Sequence, residues 1–285
     1  MNRDPLVFIL ILNYDGGKPL SLCLQSLLRL DYTNTRIVVI DNASTDGSFE
    51  EAKRISSRAS FIRNSENVGF AKGINVGLRF AINQGADFVW LLNPDATAST
   101  NSLRRLIDLM RRNPKIGIAS PIILSPNRKV WFGGGIIRWM RFRATHEKPL
   151  SLTSPFETEF VSGCALLIRR AVLESIGLLD EHFFLYYEDV DFSLRARKAG
   201  FQAVIHPKST VTHSEESQKN PRKTYWLIRS GLFFFRKHFY WPFMPYFWLA
   251  FWTRRGRFAL KNRGGQIKSK SLIEKAFRDF LSYGY

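Results

Sequence analysis

"LVFILILNYDGGKPLSLCLQSLLRLDYTNTRIVVIDNAS", residues 6–44, decides the fold. Residues 6–14 are a continuous apolar run of strand length that closes on Asn13 and Tyr14. Residues 17–30 then set Leu20, Leu24, Leu27 and Leu28 at helical spacing. "RIVVIDNAS" (36–44) is a second strand, and it ends at an acid, Asp41. The alternation continues outward. A helix is predicted over 46–59, with Asp46 or Ser48 as its cap, then a shorter strand over 60–67 and a helix over 69–85. "DFVWLLNPDA" (87–96) is a fourth strand. Strands without polar alternation, separated by helices, call for a parallel sheet covered on both faces.

Sheets of this kind bind ligands at the carboxyl ends of their strands. Polar residues collect there: Asn13 after the first strand, Asp41 after the second, Asn67 after the third and Asp95 after the fourth. One polar strand end is ordinary punctuation. Four, two of them acids, describe a crevice of nucleotide size.

Beyond a helix predicted over 100–114 the pattern changes. "IGIASPIIL" and "KVWFGGGIIRWM" read as strands around a glycine-rich turn, and 141–158 as a polar mobile loop. Residues 160–181 read as a strand running into a helix, and 201–214 as a strand pair. No internal repeat or low-complexity tract interrupts the chain.

With 285 residues, 45% of them hydrophobic, the chain can bury a core of one large or two small domains, which excludes wholesale disorder. The net charge of +18 favours an anionic partner: nucleic acid, a membrane face or a phosphate-bearing substrate. The charge is uneven. Residues 219–285 hold 15 Lys and Arg against two acids, Glu274 and Asp279. Cys23 and Cys164 sit in separate apolar runs without metal spacing, as two buried thiols of a reducing compartment would. No leader peptide is expected, because residues 2–5 are polar and the run 6–12 is short, and no stretch has the length and apolarity to span a bilayer.

Individual residues then carry chemistry, each beside a plainer reading. Asp41 can accept hydrogen bonds from a ribose or a base, or cap a turn. Gly69, Gly73 and Gly77 recur every four residues. The last two suit close packing of helix on sheet, whereas Gly69 opens the helix, where free N–H groups attract phosphate or base edges, with Lys72 adding charge. In "LLNPDA", Asn93 and Asp95 leave an apolar strand. The carboxylate can hold Mg²⁺ or Mn²⁺ against a diphosphate, or belong to the cap region of the next helix. His213 follows the last strand and suits a metal, a phosphate or a plain structural role. In "LYYEDVDFSLRARKAG" (185–200), Glu188 and Asp189 follow two tyrosines. Desolvation and like charge there would raise a carboxyl pKa, as a general base needs. Asp191 reads only as a helix cap.

Six stretches occur in order: "ILNYDGGKPLSLCLQSLL", "VVIDNASTDGS", "NVGFAKGINVG", "WLLNPDA", "VSGCALLIRRAVLESIGLLDEHFFLYYEDVDFSLRARKAGF" and "VTHSEES". Together, over about residues 5–240, they resemble family 2 glycosyltransferases, in particular the bacterial rhamnosyltransferase-like branch. The resemblance implies a GT-A fold, α/β with a mainly parallel Rossmann-like sheet and flanking helices. The catalytic domain would occupy 1–218, with a nucleotide-sugar half over about 1–100 and an acceptor half over 101–218. It implies inverting transfer of a sugar from a nucleotide diphosphate sugar, with Mg²⁺ or Mn²⁺. By matching motifs, Asp41 holds the nucleoside and Asn67 and Gly69 lie beside the base. Asp95 binds metal and diphosphate, His213 completes the metal site, and Asp189 is the catalytic base with Glu188 its neighbour. The family's first metal-motif acid is replaced by Asn93, which removes one carboxylate from the metal. The branch points first to dTDP-rhamnose and next to UDP-hexoses.

The last region, 219–285, is basic and aromatic. "YWLIRSGLFFFRKHFYWPFMPYFWLAFWTRRGR" (225–257) suits either a helical hairpin packed on the catalytic domain or a membrane interface, where aromatic rings sit at headgroup depth. The expectation is a cytoplasmic enzyme at the inner membrane face, with a lipid-linked or saccharide acceptor in cell-surface polysaccharide synthesis. Nucleic acid is not an expected partner, since no zinc spacing or helix-turn-helix pattern is present. The competing readings are a non-catalytic nucleotide-sugar-binding scaffold and a nucleotidyltransferase. The second lacks its glycine- and arginine-rich N-terminal loop.

Overall fold

The computed structural model describes residues 3–214, 222–261 and 267–282. Strand β1 (Val7–Asn13) is buried at all seven positions, which is why its sequence shows no alternation. It pairs in parallel with β2 (Thr35–Asp41) on one side and β4 (Phe88–Leu92) on the other, and β3 (Ser60–Arg63) extends the sheet beyond β2. Helices α1 (Gly17–Leu27), α2 (Ser48–Ile55) and α3 (Phe70–Asn83) make the crossovers. The expected parallel order is therefore present, in the sequence β3-β2-β1-β4.

Gly73 and Gly77 let α3 lie against this sheet. A Cβ at Gly73 would fall 2.6 Å from Leu12 Cδ1, and one at Gly77 2.7 Å from Ile40 Cδ1. Each of these contacts is closer than real side chains tolerate, so the packing reading of both glycines holds.

Past β4 the same sheet becomes mixed. After β5 (Ala96–Ala98) and α4 (Ser102–Arg112), strand β6 (Ile116–Leu124) joins at the far side of β11 (Ala165–Arg169), which itself runs antiparallel to β4. Helix α4 buries Leu103, Leu106, Ile107 and Met110, one apolar face at helical spacing. Each such side chain contributes about 1.5–3 kcal/mol of burial. The predicted strand pair over 201–214 is one long strand instead, β12 (Gln202–His213). Its register against β6 shifts between His206 and Thr210, so one bulged strand reads in sequence as two. The predicted mobile loop over 141–158 also holds structure. After β7 (Val130–Phe132), β8 (Gly135–Arg138) pairs with β9 (Arg143–His146), and β10 (Phe156–Glu157) pairs with β12. Helices α5 (Arg170–Ile176) and α6 (Glu188–Lys198) pack beside β11 and β12.

The C-terminal helices α7 (Arg222–His238), α8 (Met244–Lys261) and α9 (Ile267–Ser282) close the chain, with α7 and α9 in extensive contact. The boundary expected at 218/219 lies outside the described residues. Among the described residues no helix is long and apolar enough to cross a membrane.

Candidate active site

Asn13, the last residue of β1, is buried, and its amide donates to Asp41 Oδ1 at 2.8 Å, Ser44 Oγ at 3.0 Å and Ser48 Oγ at 2.9 Å. Its own oxygen accepts from the Gly16 N–H. Asn13 thus fixes Asp41 from within the protein. The Asp41 carboxylate also accepts from the Ser44 N–H at 3.0 Å and pairs with Arg63 at 3.3 Å. Sequence reading missed the residue beside it. Asn42 is buried, donates to Asn67 Oδ1 and the Gly69 carbonyl, and accepts from Asn64. Asn67 in turn accepts from the Gly69 N–H at 3.0 Å. A run of amide side chains therefore joins the ends of β2 and β3 to the start of α3. Its only sequence signal was the spacing of three asparagines.

Gly69 caps α3 with φ +85°, and a Cβ there would lie 2.6 Å from the Phe184 carbonyl oxygen. That oxygen accepts from the Phe70 N–H at 2.6 Å. The constraint is a close approach of two backbones: the loop before α3 touches the segment leading into Glu188 and Asp189. Lys72 lies exposed on the first turn of α3, where its charge acts on Glu181.

Asn93 and Asp95 sit in the turn between β4 and β5. The Asn93 N–H donates to the Cys164 carbonyl at 2.9 Å. Asp95 Oδ1 lies 3.1 Å from His213 Nε2, and the Asp95 carbonyl accepts from the Ser214 N–H. His213 is the last residue of β12, so strand pairing of β12 with β5 brings the two together. His213 Nδ1 is buried without a hydrogen-bond partner. The pair fits a divalent cation. Two ligands at about 2.1 Å and a right angle stand about 3.0 Å apart, near the spacing seen. Among the described residues no three His, Cys, Asp or Glu side chains cluster, so the remaining ligands would be phosphate and water oxygens.

The turn before α6 is strained. Tyr186 and Tyr187 both have positive φ, 67° and 69°, although neither is glycine. They deliver Glu188 and Asp189 into the first turn of α6, where the helix dipole favours anions. Asp189 Oδ2 accepts from the Gly163 N–H and Oδ1 from the Val190 N–H, both at 2.8 Å. Burial raises the Asp189 carboxyl above its ordinary value, and these two N–H groups oppose the rise. Glu188 is buried, and its Oε2 has no hydrogen-bond partner. Burial first, and the adjacent Asp189 charge second, push it well above the carboxylate range. The two carboxyls therefore differ. The Asp189 oxygens each have an N–H donor that opposes the rise, whereas Glu188 Oε2 has none.

Asp191 does more than the cap expected of it. Its fully buried carboxylate takes Arg195 Nε at 2.7 Å, Lys237 Nζ at 2.6 Å and His238 Nε2 at 2.7 Å. Burial pushes the group up, but His238, Arg195 and Lys237 together outweigh it and hold Asp191 at about 2. Lys237 also reaches Asp180 at 2.7 Å. Helix α7 is thereby fastened to the helix that carries Asp189, and Ser230 Oγ donates to the Leu185 carbonyl within the same turn. Arg195 stands one helical turn from Asp191, but sequence offered no signal for Lys237 and His238, which lie more than forty positions away.

The separate pieces meet at Gly163–Cys164. Gly163 donates to Asp189, and Cys164 accepts from Asn93, two residues before Asp95. A Cβ at Gly163 would stand 3.4 Å from Asp189 Cβ and 3.7 Å from the Phe70 ring, at the start of α3. The turn that carries Asp189, the Asn93 turn and the start of α3 therefore border one another around this dipeptide.

Residues 7–177 match the family described as Glycosyl transferase family 2. The N-acetylglucosaminyl-diphospho-decaprenol L-rhamnosyltransferase of Mycobacterium tuberculosis is 26% identical over 282 residues, covering 89% of this chain and 91% of its own. The dTDP-rhamnosyl transferase RfbF of Shigella flexneri is 22% identical, covering 74% of each. Among solved structures, GalNAc-T7 with UDP, GalNAc and Mn²⁺ superposes with a TM-score of 0.70 at 17% identity, over 99% of this chain and 57% of its own. The mannosyltransferase PcManGT from Pyrobaculum calidifontis, in complex with GDP-Man and Mn²⁺, gives 0.65 at 17% identity, over 98% and 81%. The fold is GT-A, and the sheet, the conjunction at Gly163 and these likenesses agree: the chain belongs to glycosyltransferase family 2, in its rhamnosyltransferase-like branch.

Proposed function

We propose that the protein transfers L-rhamnose from dTDP-rhamnose, with inversion, to a lipid-linked or saccharide acceptor during cell-surface polysaccharide synthesis. It would work in the cytoplasm at the inner face of the membrane. The single observation that carries the reading is the Gly163–Cys164 link, which sets Asp189 beside the turn of Asn93 and Asp95. The rhamnosyl donor rests on the two relatives.

Asp41, held by Asn13 and Ser44, accepts hydrogen bonds from the nucleoside, with Asn67 and Gly69 beside the base. An acceptor hydroxyl ionises far above neutral pH, so its proton must leave as its oxygen attacks the anomeric carbon. Asp189 takes that proton. The new C–O bond forms on the face opposite the leaving diphosphate, and the old C–O bond breaks, so the centre inverts without a covalent enzyme intermediate. Asp95 and His213 would hold Mg²⁺ or Mn²⁺, which supplies neutralising charge for the leaving diphosphate.

Two measurements test this. Asp189→Asn should lower kcat by about 10²–10⁴-fold, the usual contribution of a general base, while calorimetric donor affinity stays near wild type. Wild-type turnover by that variant rejects the base. A thermal-shift panel of dTDP-, UDP- and GDP-sugars with Mn²⁺ should single out dTDP-rhamnose. A larger shift with a UDP-hexose would replace the donor, and binding without turnover of any donor would favour the scaffold reading.

A further inference from the structure

The outward face of α8 is apolar and aromatic. Phe247 and Phe251 point inward and are buried, while Tyr246, Leu249 and Trp252 point outward. Leu249 is 62% exposed and, in the turn before the helix, Trp241 is 77% exposed. A second part of the chain completes this face. Tyr246 Oη donates to the Met140 carbonyl at 3.1 Å, which sets Met140, 65% exposed, beside α8. Side chains this large and this apolar, gathered from two segments, are an interaction surface rather than scattered exposure.

Charge identifies the partner. From Arg222 to Ile273 the sequence contains no Asp or Glu but 12 Lys and Arg. Arg255 lies over the Trp252 ring at 5.2 Å, and Arg141 is exposed next to Met140. Indole and phenol rings flanked by cations suit the headgroup layer of an anionic bilayer, where rings sit at the interface and cations meet lipid phosphate. No described helix can cross, so contact of this kind is peripheral.

The face is also joined to the site. Phe142 stacks on Tyr246 at 5.6 Å and meets Phe247 at 5.5 Å. Phe142 and Tyr187 line one small cavity with Gly231 and Phe235, and the Ala144 N–H donates to Tyr187 Oη. Tyr187 immediately precedes Glu188.

We propose that Met140, Trp241, Phe243, Tyr246, Leu249 and Trp252 form a docking face for an anionic lipid bilayer, placed so that the base turn meets acceptors held in the membrane plane. The docking face stands on the surface geometry, and its link to acceptor delivery rests on the transfer reading above.

The test uses the full chain and vesicles of phosphatidylcholine, alone or mixed with phosphatidylglycerol. Wild type should float with the mixed vesicles at low salt, bind the neutral ones at least about tenfold more weakly, and release at high salt. Trp241→Ser combined with Trp252→Ser should weaken binding to mixed vesicles by at least about tenfold, with an unchanged thermal midpoint, since both rings are exposed. Equal binding by wild type and variant, or no preference for anionic lipid, overturns the proposal. So does a wild-type dimer that the variant abolishes while neither binds vesicles, which would mean that a second copy covers the face. Turnover of a water-soluble acceptor, measured alongside, reports the transfer reading separately. It should be equal in wild type and variant whatever the vesicles show.

Discussion

Asp189 and Glu188 occupy one turn but meet different partners, and the pH profile should tell them apart. The proposed base, Asp189, must be ionised to work, and burial raises its pKa against two opposing N–H groups. A raised base is protonated at higher pH, so kcat/KM should fall on acidification through a pKa above the ordinary aspartate value of about 3.9. Burial first and the Asp189 charge second push Glu188 well above the carboxylate range, so Glu188→Gln should move the acid limb little. A limb that moves downward would show that Glu188 carries charge. Asp191 bears on stability with the opposite sign. Its folded value of about 2 lies below 3.8, so its contribution is present above the ordinary range and is lost as pH falls toward 2. The shift corresponds to roughly 2 kcal/mol. The raised carboxyls of Asp189 and Glu188 stabilise the fold only in acid and weaken it as pH rises. Urea unfolding of wild type and Asp191→Asn at neutral and acid pH should show a difference that shrinks in acid.

At the scale of elements, α7 behaves as a strap on α6. Lys237 bridges Asp180 and Asp191, and Ser230 holds the Leu185 carbonyl. Lys237→Met leaves Asp191 with Arg195 and His238 only. The loss should be about 1.5–3 kcal/mol, the usual worth of a charged hydrogen bond, seen as a lower urea midpoint with an unchanged slope. Because the strap acts on the turn that carries the proposed base, kcat should fall while donor KM stays nearly constant. The strands make a similar point. β5 and β12 are remote in sequence, yet their pairing alone brings Asp95 to His213. Chelation should therefore abolish turnover. His213→Ala should raise the cation concentration needed for half-maximal rate at least about tenfold. Mn²⁺ should restore activity at lower concentration than Mg²⁺, since an imidazole suits it better.

For the molecule as a whole, the residues alone determined the parallel half of the sheet, the strand ends that carry Asn13, Asp41 and Asp95, and the basic aromatic character of the last quarter. Those features repeat at short range: strand runs, helical spacing and composition each show within a few turns of chain. Only the tertiary structure decided the rest. It made one bulged strand of residues 202–213 and paired β10, from the stretch that read as a loop, with β12. It gathered Asn42, Asn64 and Asn67, built the network around Asp191, and set Met140 beside α8. Each of these depends on partners far apart in sequence, brought together by sheet order and helix packing, and no local pattern records which distant residue will arrive.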